Sequence, residues 1–116
     1  MDDMAYDTQL EQRIDEVIAL WGLNVPKRKM FGGLGYFLNG NMAFGIHQDE
    51  LIVRADEIMG STLLKRPGLR RFAMGERVSM KGWYLASADA TATDQQLARL
   101  LVASRDYVLT LPPKEK

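Results

Sequence analysis

The sequence predicts an α+β domain, ordered α-β-β-β-α-β-β-α and folded as a two-layer sandwich with a largely antiparallel sheet, in the manner of secretion-chaperone-like folds. Three observations lead there. Amphipathic helical patterns with capping residues stand at both ends of the chain. An Asn39-Gly40 hairpin signal sits between alternating segments. The strand-like segments come in runs and do not alternate one-for-one with helices.

Leu10, Ile14, Val17, Ile18 and Trp21 keep i, i+4, i+7, i+8, i+11 spacing behind a Thr8/Glu11 capping box, so residues 8–22 are expected to be a helix ended by Gly22. Its apolar stripe needs a surface to dock on, because a lone helix of this length is marginal in water. From Met30 the period changes. Residues 30–38 and 41–47 flank Asn39-Gly40 as a hairpin, and Gln48-Asp49-Glu50 turns into a third, aliphatic strand over 51–55. Asp56 is placed to cap a short helix over 57–65 that buries Ile58, Leu63 and Leu64. Pro67-Gly68 breaks the chain, a short strand is expected near Phe72, and Lys81–Ala86 forms a clearer one. Thr93 and Gln96 form a second capping box that opens a helix over 93–111, and a frayed tail follows Pro112-Pro113.

The 116 residues, 47% hydrophobic and 26% charged, suit one globular domain over 1–116 that folds without staples. With no cysteine there is no disulfide, thiolate nucleophile or cysteine-held metal. The acidic start lacks a signal-peptide pattern and no segment is apolar enough for a membrane helix, so a cytoplasmic protein is expected. Net charge is zero but unevenly spread: residues 1–25 carry −5 and residues 26–81 carry +5.

The basic residues are the sharpest local feature. Lys27, Arg28 and Lys29 precede the first strand, Lys65, Arg66, Arg70 and Arg71 surround the Pro67-Gly68 break, and both groups are expected at one end of the sheet. They lack interleaved aromatics of the kind that bind single strands, so a protein partner is favoured over nucleic acid. Trp83 and Tyr84 point to opposite faces of their strand, which makes one core and the other an interface candidate. Met30, Met42, Met59, Met74 and Met80 read either as core filling or as an adaptable groove. Gly32-Gly33-x-Gly35 leads into a hairpin, not a helix, and reads as a bulge or close backbone packing instead of a phosphate loop. His47 with Asp49 and Glu50 is too local for a metal site, and no serine lies in a nucleophile elbow. No cofactor, metal or catalytic role is therefore expected, and an undescribed small-molecule enzyme ranks third, behind a protein-interaction module and a nucleic-acid-binding accessory.

Several motifs together resemble a known family. Lys29-Met30-Phe31-Gly32-Gly33, Leu38–Gly45, Asp49–Arg54, Met80–Trp83, Tyr107-Val108 and Leu111–Lys114 are similar, in order and spacing, to the N-terminal domain of the TfoX/Sxy family. The resemblance implies a bacterial protein related to transcriptional co-activators of natural competence. It supplies no catalytic residues. Those regulators carry a second, helical domain for which this sequence has no residues, so a stand-alone domain is expected and competence regulation does not carry over. The implied role is a small non-catalytic regulatory or protein-interaction module, with a transcription factor as one partner class and a homodimer as another arrangement.

Overall fold

The computed structural model of the chain describes residues 6–30, 32–74 and 78–114, with side chains described outside 74–80. The elements run α1 (Thr8–Ile18), β1 (Lys27–Met30), β2 (Gly33–Leu38), β3 (Asn41–His47), β4 (Glu50–Arg54), α2 (Glu57–Leu63), β5 (Leu69–Met74), β6 (Val78–Ala86), a 3₁₀ turn over Ala88–Thr91, and α3 (Asp94–Val108). The six strands form one antiparallel sheet in the order β1-β2-β3-β4-β6-β5. The fold is α+β, as expected. β1 is a strand the sequence reading lacked, since residues 27–29 had been placed ahead of the sheet. The backbone changes direction after it at Gly32, whose φ of 76° is left-handed.

Strand alternation assigns the two faces. Tyr36, Phe44, Val53 and Tyr84 are in register across β2, β3, β4 and β6, as are Leu34, Ile46, Leu51, Ala86 and Leu69 in the next row. All are buried and form the core with Leu10 and Ile14 of α1, Leu63 of α2, and Leu97, Leu100, Leu101 and Val108 of α3. All three helices therefore cover one face. α3 is fixed to β4 by the buried Ser104, whose hydroxyl accepts the Arg54 N–H at 3.1 Å. α1 is fixed by Asp15, which accepts the Tyr36 hydroxyl at 2.9 Å and the Lys27 ammonium at 2.8 Å. Burial, reinforced by that carboxylate, holds the Tyr36 phenol well above its ordinary pKa.

Local details correct several sequence expectations. The N-cap of α1 is Asp7, one residue early, and it accepts from the N–H groups of Gln9 and Leu10, while Glu11 pairs with Lys27. α1 ends at Ile18, because Leu20 and Trp21 bond three residues back and Gly22 turns left-handed. Trp21 thus sits beyond the helix, half-buried, edge-on to Phe44 at 6.0 Å and beneath the Arg105 guanidinium at 4.9 Å. Its replacement by alanine is expected to cost about 2 kcal/mol, below the ~3–5 of a fully buried tryptophan. A loss under about 1 kcal/mol by denaturant titration would detach this ring from the core.

The expected α2 cap at Asp56 and the capping box at Thr93 and Gln96 are both present. Ile58, expected in the core, is instead 82% exposed. The tail is tied down through Lys114. Asn39 and Gly40 have φ of 52° and 83°, the two left-handed positions of a type I′ turn, and Lys114 N–H donates to the Asn39 carbonyl at 2.8 Å. Asn41 also donates to the Pro112 carbonyl at 3.0 Å, so the Leu-Pro-Pro-Lys segment closes over the hairpin. Among the described residues no helix is long and apolar enough to cross a membrane.

Candidate interaction surface

Among the described residues, only side chains cover the face of the sheet away from the helices. Arg28, Gly35, Gly45, Ile52, Leu85 and Arg70 share one row across it, and Arg54 and Trp83 are paired in the neighbouring row. Two facing, buried glycines make a trough in the backbone of its middle that neighbouring side chains fill. A Cβ on Gly35 would lie 3.0 Å from Met30 Sδ, 3.2 Å from Phe37 Cε1 and 3.3 Å from Met42 Cε, so these three side chains lie over the trough. The rings of His47 on β3 and Phe72 on β5 are 5.9 Å apart, although β4 and β6 lie between their strands. They meet above Ile52 and Leu85, which explains why those two are buried on a face that carries no helix.

Two guanidinium groups stack on this layer. Arg28 lies 4.7 Å from the centre of the Phe37 ring, and Arg54 lies 4.9 Å from Trp83 while donating to the Met42 carbonyl at 3.0 Å. A third, Arg70, grips Glu50 through two bonds of 2.7 and 2.8 Å. That grip holds the Glu50 carboxyl below the usual carboxylate range. Among the described residues the positive charge of this face without a carboxylate partner is therefore that of Arg28 and Arg54. Half-buried Trp83, Phe37, Met30, Met42 and Arg54, with the exposed Arg28 beside them, match the aromatic, methionine and arginine enrichment of protein interfaces.

The sequence-nominated residues do not gather into one patch. Lys27, Arg28 and Lys29 lie on β1 and Arg70 and Arg71 on β5, at opposite edges of the sheet, about 24 Å apart at ~4.8 Å per strand. The cause is topological: β2, β3, β4 and β6 lie between β1 and β5, which occupy the two edges. Lys27 is neutralised by Glu11 and Asp15, and Lys65 and Arg66 are exposed in the turn before β5. Trp83 is the open-face member of its pair. Tyr84, 1% exposed, belongs to the core and is no interface residue. Three of the nominated basic residues lie over aromatic rings, Lys27 over Tyr36, Arg28 over Phe37 and Arg71 over Tyr84, and of these only the Arg28 pair is on the open face.

Met30 and Met42 are among the methionines that read as core filling or as an adaptable groove, whereas Phe37 and Arg54 were missed as site residues. Their signal was alternation: once Tyr36, Phe44 and Val53 are core, Phe37 and Arg54 must lie opposite. The glycine motif is a packing device, because a Cβ on Gly33 would strike the Ile46 carbonyl. Glu50 beside His47 is engaged with Arg70, and among the described residues no three His, Asp or Glu side chains surround a metal-sized space.

A comparison with curated proteins finds no match. The family model of the TfoX N-terminal domain matches residues 18–107, which takes in all six strands, α2 and all but the last residue of α3, and the chain accordingly belongs to the TfoX N-terminal domain family.

Proposed function

We propose that this domain is a non-catalytic protein-interaction module whose working surface is the open face of the sheet. The observation that carries the reading is the pairing of Trp83 with Arg54 and of Phe37 with Arg28 over a methionine-lined trough. The rings supply apolar area at low entropic cost, and the two guanidinium groups select an acidic protein surface. The family's association with transcription makes a transcription factor the first partner class to test. A partner captured from extract, purified and titrated should bind Trp83→Ala at least about tenfold more weakly than wild type. Unchanged affinity in a variant with wild-type circular dichroism would move the function off this face.

A single-stranded nucleic acid is the second reading, favoured by the same stacked rings. The acidic α1 lies behind the sheet and does not screen this face. Among the described residues the open face nevertheless offers two guanidinium groups without a carboxylate partner, Arg28 and Arg54, so weak binding confined to low salt is expected. Sub-micromolar anisotropy titrations at physiological salt, abolished in Trp83→Ala, would reverse the order of the two readings.

A further inference from the structure

Both edges of the sheet end in basic strands, but only one of them is protected. A sheet edge exposes unpaired N–H and C=O groups, which proteins blunt with shortness, lysine, proline or a covering element. β1 is blunted. It has four residues, two of them lysines, and Lys27 is clasped by α1. β5 has six residues with neither lysine nor proline, and no described strand pairs with its outer side.

The orientation of its backbone follows from one hydrogen bond. Ser87 N–H donates to the Gly68 carbonyl at 2.9 Å, so Gly68 faces β6. In an antiparallel ladder alternate residues face the same neighbour, which turns Arg70 inward and Leu69 and Arg71 outward. The Leu69 N–H is taken by the Arg66 carbonyl at 3.3 Å. By that alternation the Leu69 carbonyl and the backbone groups of Arg71 point away from β6, just before the irregularity between Arg71 and Ala73.

Charge selects the occupant. Residues 64–75 contain Lys65, Arg66, Arg70 and Arg71 and no acid, and among the described residues only Arg70 is ion-paired, with Glu50. Arg71 lies 5.8 Å from the buried Tyr84 ring, on the helix side of the edge, where the neighbouring residue of an added strand would meet it. A second copy of this chain would bring β5 against β5 and oppose like charges. We propose that the β5 edge binds an extended acidic segment of another protein by strand addition, with backbone bonds to Leu69 and Arg71 and carboxylates against Arg71, Lys65 and Arg66. This site is separate from the open face and does not depend on it.

The probe is a short fluorescein-labelled peptide alternating valine or threonine with glutamate, followed by anisotropy against the whole chain. Wild type should bind it, and Arg71→Pro should bind about tenfold more weakly, because proline deletes the outward N–H without touching the β5–β6 ladder. Arg71→Ala, which keeps that N–H, should fall between the two. The Arg71 amide of wild type should gain protection from hydrogen exchange when peptide is added. Methylating alternate amides of the peptide should abolish binding to wild type, which keeps the test valid if Arg71→Pro does not fold. Absence of binding at about 1 mM peptide overturns the proposal. So does equal binding of a peptide with arginine in place of glutamate, competition by an oligonucleotide with an unchanged Arg71 amide, or a dimer by light scattering that peptide fails to dissociate.

Discussion

Replacing Gly60 by alanine is expected to destabilise the protein by about 2 kcal/mol, opposite in sign to the usual effect of that change inside a helix. On propensity alone, alanine in α2 would gain about 1 kcal/mol. Gly60, however, is buried, and a methyl group there would overlap the hydroxyl and ring of Tyr84, itself held at the centre of the core between β4 and β5. Overpacking a fixed aromatic costs typically 1–3 kcal/mol, occasionally more, and here outweighs the propensity gain. Tyr84→Phe removes the nearest atom and leaves the ring, so Gly60→Ala should cost less in that background by about 1 kcal/mol. Denaturant titrations of the four proteins would measure this coupling. Stabilisation by Gly60→Ala alone would mean that α2 does not pack on β6 through this residue.

The same contact explains what was legible in the sequence and what was not. Local chemistry was readable: Asp56 caps α2, Thr93 and Gln96 reciprocate at the start of α3, and Asn39-Gly40 makes its hairpin turn. Each of these depends on neighbours within a few residues. The facing of α2 does not. Because Gly60 must lie against Tyr84, the residue two positions earlier is carried about 200° around the helix, and Ile58 points to water despite its hydrophobicity. Leu63, one turn later on the Gly60 side, is buried.

Site residues follow the same division. Trp83 and Tyr84 were recognised as opposite-facing, yet only the space left by Gly60 decides which of them is core. The two basic groups were each visible, but their separation follows from residues 27–29 forming a strand at one edge of the sheet and from β5 lying beyond β6 at the other. A sequential meander would have placed β5 beside β4 and kept Arg70 and Arg71 away from the edge. Arg54 escaped notice as one charge ending an aliphatic strand. Its role appears only once Met42 and Trp83 are found on either side of it.

Gly45→Ala is expected to be the most damaging of the conservative changes, at about 3 kcal/mol or more, although Gly45 and Gly35 are a cross-strand pair on the same face. A methyl on Gly45 would run into the backbone carbonyl of Leu34, and 2.9 Å away it would also meet the Met42 methyl. The carbonyl belongs to β2 and yields only if the β2–β3 ladder opens, in the middle of the sheet and beneath the Leu34, Ile46 and Leu51 row of the core. Around Gly35 the nearest atoms are the ends of Met30, Phe37 and Met42, flexible side chains on the open face. Gly35→Ala should therefore cost under about 1 kcal/mol, since methionine repacks readily. That change would nevertheless lift Met30 and Met42 out of the trough, so it should weaken a partner held on the open face while leaving an extended peptide on the β5 edge unaffected. Thermal denaturation of the two glycine variants checks the contrast in stability. Equal sensitivity of the two positions would show that the trough is as rigid as the core behind it, and that its methionines are structural filling.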